Sequence, residues 1–572
     1  MSTSFRPASS LLIPLVLVAA NARAQREMTQ DRAPGAATIT VEKCKEWLGT
    51  LASPEYEGRG TGQPGFQKAA DYVAAHFKAL GLEARGEDGT YFQHVPWSTT
   101  KVKAEQTFLS FEAGGETLRM PAERLGGSAT TAVTASGDVV LLVVRAPEPA
   151  QGQGGQQGSQ GQRQRGGIRF DVPKLEGLDG LDVKGKFVVA FVQASEKTRG
   201  SAGVTRLAVQ QGLQGKEPAA LVWAQEAAPN GGLRGARTGG GRGAGNPALA
   251  GGRRLPPDVT FGGKDLETLL KIAGKDAAAL AGDAAATLAP LPVKGTLEIA
   301  VAEDKQPAMN VFAVLSGSDP KLKDEYVVIG SHLDHLGRRG DRLFPGADDD
   351  GSGTTGVMAV GQMFVKNPTR PARSILLVCF AGEEDNLTGS RFFAENCPIP
   401  LASIAAELQM DMIGRDEEEA MDGGRPVNVG ETAEQNRNSL HLVGTQKLAP
   451  ALHALCLAKN EAAAFDLEYD QEDMFGRSDH ANFARMGVPV AFFFTGLHRD
   501  YHQVSDTPDK INYPKLLRVA RYVYDIAFEL GSPLQRPEID PKLWAKMQRR
   551  GSEKPAAPLM QTPGDKDVKG GK

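Results

Sequence analysis

The feature that most constrains the fold is a set of short segments that are mostly apolar and do not alternate polar and apolar residues along their whole length. These segments are Tyr326–Ile329, Ile375–Val378, Ile404–Met410 and Val490–Phe494. Strands have this composition when helices cover both faces of their sheet. Residues Gly353–Phe364 read as one such helix. We therefore predict an α/β fold in which a mixed, mostly parallel sheet is flanked by helices.

Histidine or acidic residues lie just beyond three of these predicted strands. His332 follows the first strand and Asp411 the third, while the pair Glu383 and Glu384 follows the second. Asp349 lies in a glycine-rich turn before the predicted helix, where the helix dipole tolerates a carboxylate. Ligands of open α/β sheets collect beyond the carboxyl ends of the strands. Carboxylates crowded there would repel one another unless cations neutralised them, so the pattern predicts a two-metal site and hence a metallohydrolase.

The spacing within these motifs suggests separate roles for neighbouring residues. His332 and Asp334 are two apart, which places both on one face of an extended chain, and Asp334 can then fix the tautomer of the imidazole. Glu383 and Glu384 cannot aim both carboxylates alike, so we expect one to bind metal while the other handles protons. Nitrogen and oxygen ligands without thiolates suit a catalytic zinc site better than a structural one.

Each motif also has an ordinary structural explanation when it is taken alone. A single buried histidine is more often a hydrogen-bonded core residue, and a glutamate pair is more often a charged loop. The run Asp348–Asp350 could begin a calcium loop, but Ala359 occupies the position at which an EF-hand needs a bidentate glutamate. The joint order and spacing of the motifs favours one shared site over these separate explanations.

Composition narrows the classes of protein that the chain can represent. Its 572 residues exceed one compact core, so we expect two or more domains. The net charge of −4 shows no excess of basic residues that would attract nucleic acid, so we expect no nucleic-acid partner. The 4 cysteines contain no C-x-x-C pair, which disfavours thiolate metal ligation and leaves any disulfide pairing open.

The N-terminus predicts export. Arg6 supplies a positive charge, Leu11–Ala20 is apolar, and Ala22–Ala24 is an A-x-A-like cleavage site before Gln25. The apolar run is too short to span a bilayer, so we expect no stable membrane anchor after cleavage. The predicted location is the periplasm or the extracellular space.

Changes in sequence texture divide the chain into segments. The motifs fall in a discontinuous domain, and a β-rich segment with Gln/Gly-rich (151–167) and Gly/Arg-rich (230–254) runs interrupts it. The Gly/Arg run lacks interleaved aromatic residues, which favours a flexible loop over a nucleic-acid segment. The predicted organisation is a signal peptide at 1–24, a disordered leader at 25–36, the motif-bearing domain at 37–100 and 298–531, the insert at 101–297, and a disordered tail at 532–572.

Taken together, the motifs resemble the M28 family of zinc peptidases, which includes bacterial secreted aminopeptidases. The segment 101–297 more weakly resembles an inserted protease-associated (PA) domain. The motifs that carry the family resemblance are H-L-D (His332–Asp334), G-A-D-D-D-G-S-G (Gly346–Gly353), A-G-E-E (Ala381–Glu384), M-D-M-I-G (Met410–Gly414), S-D-H (Ser478–His480) and Y-H (Tyr501–His502), together with the lead-in E-G-R-G (Glu57–Gly60).

The resemblance implies a zinc-exopeptidase-like fold with two Zn²⁺ per chain. It assigns His332 and Asp411 to one zinc, Glu384 and His502 to the other, and Asp349 to a bridging position. His502 is preferred to His498 as the last ligand because the residues after Tyr501–His502 also match the family pattern. His335 and His480 are left without a ligand role.

The resemblance also assigns the catalytic residues. Glu383 is expected to be the general base and Asp334 the residue that orients His332. Some family members carry a tyrosine that assists the oxyanion at the position of Phe475, so that hydrogen bond is not expected here.

The function predicted from these residues is an exported zinc metallopeptidase that acts on peptides or proteins, with an aminopeptidase favoured by the resemblance. The alternatives are a single-zinc enzyme similar to glutaminyl-peptide cyclotransferases and a non-catalytic, receptor-like member. The complete ligand set argues against both. A serine hydrolase is disfavoured because G-x-S-x-G is absent from the sequence. The oligomeric state is left open.

Overall fold

The computed structural model describes residues 32–129, 131–146, 178, 180–193, 202–226, 229, 232–235, 258–280, 285–422 and 425–550. The predicted signal peptide, the Gln/Gly-rich run and nearly all of the Gly/Arg-rich run lie outside the described residues.

Helices occur in every part of the described chain. The α-helices are α1 (Val41–Leu51), α2 (Pro64–Ala79), α3 (Ala202–Gly212), α4 (Lys264–Ile272), α5 (Gly351–Lys366), α6 (Thr388–Glu395), α7 (Thr445–Leu448), α8 (Pro450–Ala463), α9 (His480–Arg485), α10 (Tyr513–Leu530) and α11 (Pro541–Arg550).

Strands alternate with these helices or follow one another through turns. The strands are β1 (Phe92–His94), β2 (Ser98–Val102), β3 (Phe108–Ala113), β4 (Glu116–Pro121), β5 (Gly126–Ala129), β6 (Val133–Arg145), β7 (Phe187–Gln193), β8 (Ala220–Gln225), β9 (Arg234–Gly235), β10 (Asp258–Gly262), β11 (Ala286–Ile299), β12 (Val301–Lys305), β13 (Met309–Leu315), β14 (Tyr326–His332), β15 (Gly337–Arg339), β16 (Arg342–Phe344), β17 (Ser374–Phe380), β18 (Ile404–Met410), β19 (Ala420–Asp422), β20 (Arg425–Val427), β21 (Ser439–Val443), β22 (Asp466–Glu468) and β23 (Val490–Phe494).

The described chain forms two compact units. One contains the residues up to Val95 together with those from Pro307 onward, and the other is Pro96–Gln306. The sequence places the insert at 101–297, which is too narrow on both sides. Strands β2 and β12 pair with each other in an antiparallel ladder, so the two segments that lead into and out of the insert belong to it.

The first unit is built on an eight-stranded sheet with the order β1-β13-β17-β14-β18-β23-β21-β22. The central strands β17, β14, β18 and β23 run parallel to one another, whereas β1, β13 and β21 join the sheet in antiparallel pairs. A mixed, mostly parallel sheet flanked by helices is thereby confirmed.

Both faces of this sheet are buried. Along β14, Val327 and Ile329 belong to the core that includes helices α1, α2, α5 and α10, while Val328 belongs to a second core with Phe393 of α6 and Phe483 of α9. A side chain of this size contributes about 1.5–3 kcal/mol when it is buried. Burial on both faces explains why these strand segments are mostly apolar, with the buried Glu407 and Gln409 of β18 as exceptions.

Helices α5 and α10 close one face of the sheet. Helix α5 begins after Asp350, whose side chain accepts a hydrogen bond from the Gly353 amide at 2.8 Å. Helix α10 begins after Asn512, which caps it in the same way through the Lys515 amide. The cap of α5 fixes the end of the loop that carries the aspartate run.

The chain before α1 is more ordered than the sequence suggests. A disordered leader is predicted at 25–36, yet Arg32 is buried and its Nε lies 2.8 Å from Asp525 Oδ1 on α10. The prediction is therefore wrong for residues 32–36, and residues 25–31 lie outside the described part of the chain.

The chain after α10 is also partly ordered. The sequence predicts a disordered tail at 532–572, yet helix α11 lies within it and the carbonyls of Ser532 and Leu534 accept hydrogen bonds from Arg373. The structure describes residues 532–550 as ordered, contrary to this prediction, and residues 551–572 are not described.

The second unit has a nine-stranded sheet with the order β4-β3-β11-β6-β7-β8-β10-β5-β9, in which β6, β7, β8 and β10 run parallel. Val188 and Val189 of β7 point into separate cores, so this sheet is also covered on both faces. The unit is β-rich, and its resemblance to a PA domain remains a prediction.

All 4 cysteines are free, with Cys44, Cys379 and Cys456 buried and Cys397 half-buried. No helix in the described part of the chain combines the length and apolar character that a bilayer crossing requires.

Candidate metal centre

The sheet order brings the sequence motifs to one edge. Strands β17, β14 and β18 are parallel neighbours, so their carboxyl ends lie side by side. His332 is the last residue of β14, Glu383 follows β17, and Asp411 immediately follows β18. Asp349 comes from the loop before α5, and His502 comes from the loop after β23.

Asp349 lies between two groups of side chains. Its Oδ1 is 3.3 Å from His332 Nε2, which is 3.6 Å from Asp411 Oδ1. Its Oδ2 is 3.0 Å from His502 Nε2, which is 3.2 Å from Glu384 Oε1. The structure therefore brings all five predicted ligands together, and one aspartate faces both groups. We call these five residues the five-ligand cluster.

The donor atoms of this cluster fit zinc. Ligand atoms at about 2.0–2.2 Å from a tetrahedral zinc lie about 3.3–3.6 Å from one another, close to the four separations above. His332 Nε2, Asp349 Oδ2 and Glu384 Oε1 are buried and make no well-aligned hydrogen bond within the described residues. Leaving such atoms unsatisfied costs about 1–3 kcal/mol each, more for charged groups, and cations would remove that cost.

His335 is a buried histidine that sequence reasoning left out of the site. Its Nδ1 lies 2.9 Å from Glu384 Oε1 and 3.5 Å from Asp349 Oδ2. Strand β14 ends at His332, and the chain then turns so that the His335 amide donates to the Arg59 carbonyl at 3.2 Å. The two-residue period of a strand no longer applies after that turn. The second histidine of H-L-D-H was the only sequence signal for it.

The three consecutive aspartates have different partners. Asp350 accepts hydrogen bonds from the amides of His332 and Met412, at 3.0 and 3.1 Å, in addition to capping α5. Asp348 accepts from the Gly414 amide at 2.7 Å. Asp350, His332 and Asp411 lie close enough together to hold a metal ion, but both Asp350 oxygens already accept hydrogen bonds from backbone amides. Only the middle aspartate keeps both oxygens facing histidines.

His498, the rejected alternative to His502, lies elsewhere. It is fully buried, and its Nε2 is 3.2 Å from Asp348 Oδ2. Asp506 accepts hydrogen bonds from the amides of Asp348 and Asp349 at 3.0 and 3.2 Å. These residues hold the aspartate loop in place, and His498 does not face the cluster's donor atoms.

Asp334 supports the site through two different groups. Its main-chain carbonyl lies 3.0 Å from His332 Nδ1, while its carboxylate is farther away, at 3.8 Å. The carboxylate instead accepts a hydrogen bond from the Glu383 amide at 3.1 Å. Asp334 therefore contacts both a predicted ligand and the backbone of the predicted base.

Arg59 is a fully buried residue whose importance the sequence did not reveal. Its Nε donates to the Leu333 carbonyl at 2.9 Å, and Nη1 donates to the Leu51 carbonyl at 2.9 Å. Nη1 and Nη2 also donate to the carbonyls of Pro345 and Gly346, at 2.8 and 2.7 Å. One guanidinium thus holds the loop after β14 against the loop that carries Asp349.

The electrostatics separate the two neighbouring glutamates. Burial raises the pKa of Glu383 well above its usual value, and the carboxylates of Asp411 and Glu384 add to this despite the opposing effect of His332. Burial would also raise the pKa of Glu384, but His502 and His335 hold it well below its usual range. Glu384 is therefore an anion suited to ligation, whereas Glu383 is a site where a proton is favoured.

A cavity borders the cluster on one side. Its acidic lining residues are Asp349, Glu383 and Asp411, and the remaining lining residues are Met412, Met474, Arg477, Phe492, Phe494, Leu497 and Tyr501. Arg477 pairs with Asp422 at 2.6 Å and donates to the Tyr501 hydroxyl at 3.2 Å, so its charge is already balanced. Apolar side chains therefore dominate the part of the cavity away from the carboxylates.

The S-D-H motif packs against a residue that lines the cavity, Phe492. His480 is buried between the rings of Phe475 and Phe492, with centroids at 5.0 and 4.7 Å, and burial lowers its pKa to about 3. Ser478 accepts a hydrogen bond from Gln409 Nε2 at 3.2 Å. These contacts make the motif part of the packing beneath the cavity.

Comparisons with known proteins show which proteins this chain resembles. Residues 310–527 match the model for Peptidase family M28. Leucine aminopeptidase 1 of Pyrenophora tritici-repentis is 27% identical over 228 residues, which cover 37% of this chain and 54% of the relative. The probable leucine aminopeptidase of Arthroderma otae is 28% identical over 236 residues, or 40% of this chain and 58% of the relative. The chain spans about half the length of these curated relatives.

Among solved structures, the aminopeptidase from Aneurinibacillus sp. strain AM-1 has a similar fold. The TM-score is 0.51 at 19% sequence identity, and the alignment covers 89% of this chain and 98% of that chain. This likeness shows that the mixed α/β architecture is shared.

Proposed function

We propose that the chain is an exported zinc metallopeptidase that binds two Zn²⁺ and removes N-terminal residues from peptides or proteins. The proposal starts from the match of residues 310–527 to the model for Peptidase family M28. The observation that carries the proposal is the position of Asp349, whose two oxygens face His332 and His502 at 3.3 and 3.0 Å. A carboxylate with one histidine at each oxygen supports a pair of ions over the single zinc of the cyclotransferase alternative.

The proposed zinc ligands are the five-ligand cluster, with His332 and Asp411 on one ion, Glu384 and His502 on the other, and Asp349 shared. When bound, such a pair polarises the peptide carbonyl and lowers the pKa of a bound water to about 7. His335 and the Asp334 carbonyl orient the ligands Glu384 and His332 from outside the set.

Glu383 is proposed as the general base. It lines the same cavity as Asp349 and Asp411, and its carboxyl is buried in an environment that favours the protonated form. In this role Glu383 accepts a proton from the attacking water and returns it to the leaving amine. Asp334 holds the Glu383 backbone through the hydrogen bond to its amide, so it is a positioning residue.

The apolar lining of the cavity supports a preference for peptides with an apolar first residue. Met474, Phe492 and Phe494 offer surface to a leucine or phenylalanine side chain, and no uncompensated cation among the lining residues would attract an acidic one. The names of the relatives, leucine aminopeptidases, point to the same substrate class.

We also propose that the chain is exported and that the insert is a PA-like domain. Export rests on the sequence of residues 1–24 alone, and it predicts that the mature protein begins at Gln25. N-terminal sequencing of the protein recovered from culture medium or periplasm tests this directly.

The activity is tested with paired peptides that begin with leucine, one with a free amine and one N-acetylated, with and without chelator. We expect the free peptide alone to be cleaved, the chelator to abolish cleavage, and added zinc to restore it. Cleavage of the acetylated peptide in the presence of chelator would contradict both the proposed aminopeptidase activity and its dependence on a metal ion.

A further inference from the structure

A second buried group of metal-ligating side chains lies in the first unit, outside the five-ligand cluster. It consists of Glu417, His441 and Glu468, which we call the second cluster. Glu417 lies in the loop after β18, His441 lies in β21, and Glu468 ends β22 at the edge of the sheet. Three separate segments thus deliver one donor each.

The donor separations of the second cluster resemble those of the first. His441 Nε2 is 2.9 Å from Glu417 Oε2 and 3.6 Å from Glu468 Oε2. The three donor atoms all lie within 4.8 Å of one another. One cation can therefore contact all three with little movement.

The carboxylates are oriented by neutral donors on their far sides. Glu417 Oε1 accepts hydrogen bonds from Asn428 Nδ2 at 2.7 Å and Gln471 Nε2 at 3.0 Å. Glu468 Oε1 accepts from Ser439 Oγ at 2.7 Å. Each carboxylate is thereby held with its remaining oxygen, Oε2, turned toward the imidazole.

The second nitrogen of His441 faces a further carboxylate. The side chain is fully buried, its Nδ1 makes no well-aligned hydrogen bond among the described residues, and this atom lies 3.3 Å from Asp470 Oδ1. Metal-bound histidines commonly direct one nitrogen to the metal and the other to a carboxylate. In His441, Nδ1 faces Asp470, and Nε2 faces Glu417 and Glu468, between which the metal would bind.

The charges around the second cluster are unbalanced. Glu417 and Glu468 form no ion pair with any described lysine or arginine. The nearby Glu431 carboxyl has a raised pKa because of burial and of repulsion by Glu417, Asp470 and Glu468. A single imidazole therefore faces several carboxylates, which is the arrangement that a cation stabilises.

We propose that Glu417, His441 and Glu468 bind one divalent transition-metal cation of the zinc type, separate from the two proposed for the five-ligand cluster. An imidazole donor disfavours calcium and magnesium, which take oxygen ligands. The buried Glu417 and His441 close one side, and the Glu468 side chain, 33% exposed, gives access to solvent water. These residues line neither the cavity beside the five-ligand cluster nor the cavity bordered by Val139 and Lys186, and we assign the ion a structural role.

The ion would tie an edge strand to the rest of the sheet. Strand β22 pairs with β21 through only the residue pairs Ser439–Asp466, Leu440–Leu467 and His441–Glu468. Glu417 adds a third segment, which begins directly after Asp411. Binding therefore stabilises the folded chain in proportion to the occupancy of the site.

The experiment compares the zinc content of the full-length chain with that of Glu468→Gln, which keeps the shape of a partly exposed side chain. The control is Asp466→Asn, an exposed residue on the same strand. After dialysis against a low zinc concentration, elemental analysis should find one zinc fewer in Glu468→Gln and no change in Asp466→Asn. Equal zinc content in all three proteins would overturn the proposal, because His441 would then hold only a proton.

A second measurement separates this proposal from the proposed function. In a Glu384→Gln background, which weakens the five-ligand cluster, added zinc should still raise the melting temperature by several degrees. The double variant Glu384→Gln/Glu468→Gln should show a smaller rise, because only the remaining residues of the five-ligand cluster can still bind zinc. An equal rise in the single and the double variant would refute the second site, whatever the outcome of the activity assays.

Discussion

The five-ligand cluster and the second cluster use the same donor chemistry in different surroundings. In both, a buried histidine nitrogen faces carboxylate oxygens at about 3–3.6 Å. The five-ligand cluster borders a cavity and has Glu383 beside it. The second cluster is backed by Asn428, Gln471 and Ser439, which occupy the far oxygens of its carboxylates. We therefore expect both clusters to bind a metal ion, but only the five-ligand cluster, with its cavity and the nearby Glu383, to support catalysis.

The largest effect is expected from Asp349→Asn, because this residue alone faces both halves of the five-ligand cluster. Hydrolysis of a leucine peptide should fall below detection, and zinc content should drop by at least one ion per chain. Asp341→Asn, at an exposed position in the same loop region, should behave like the wild type. Retention of both zinc and activity in Asp349→Asn would remove the bridging role.

Glu383→Gln tests what distinguishes the five-ligand cluster from a structural site. Loss of the general base should lower kcat by about 10²–10⁴-fold, while zinc content stays at the wild-type value. Glu395→Gln, an exposed glutamate on α6, is the matched control. Loss of zinc together with activity would instead identify Glu383 as a ligand.

His335→Gln tests the histidine that faces Glu384 without belonging to the predicted ligands. Removing a residue that orients a ligand typically weakens metal affinity by 10–100-fold, so we expect zinc to be lost at a correspondingly higher concentration during chelator titration. Activity at saturating zinc should be largely retained. The control His453→Gln, on α8, should lose zinc at the same chelator concentration as the wild type. An unchanged zinc affinity in His335→Gln would show that its contact with Glu384 does not affect metal binding.

The smallest effect concerns His480, a buried histidine packed between aromatic rings. Burial lowers its pKa from 6.5 to about 3, so the folded chain resists protonation where the unfolded chain accepts it. Stability from the neutral ring is fully present above pH 6.5 and declines as the pH falls below it, by up to about 1.4 kcal/mol per pH unit. Urea unfolding of His480→Leu should show a weaker acid dependence than the wild type and His94→Leu. Parallel pH profiles would contradict this.

The sequence predicts the part of the site that strands deliver. An apolar run followed by a polar residue marks both the strand and its carboxyl end, which explains why His332 and Asp411 could be identified. Asp349 could be chosen over Asp348 and Asp350 only through the family resemblance. Its neighbours are distinguished by hydrogen bonds to distant amides, and these cannot be read from a run of identical residues.

What escaped prediction depends on how loops return to the site. Arg59 lies 274 residues before Leu333, whose carbonyl it contacts, and no local pattern links them. His335 reaches the cluster only because the chain turns after β14. The insert boundaries were misplaced because the pairing of β2 with β12 is a contact between segments about 200 residues apart.

The two-zinc centre is tested most directly by anomalous diffraction from crystals of the full chain, with data collected on both sides of the zinc absorption edge. We predict two peaks about 3.5–4 Å apart, one on each side of the Asp349 carboxylate. A single peak, or none within reach of Asp349, would contradict the two-zinc centre and the function proposed from it.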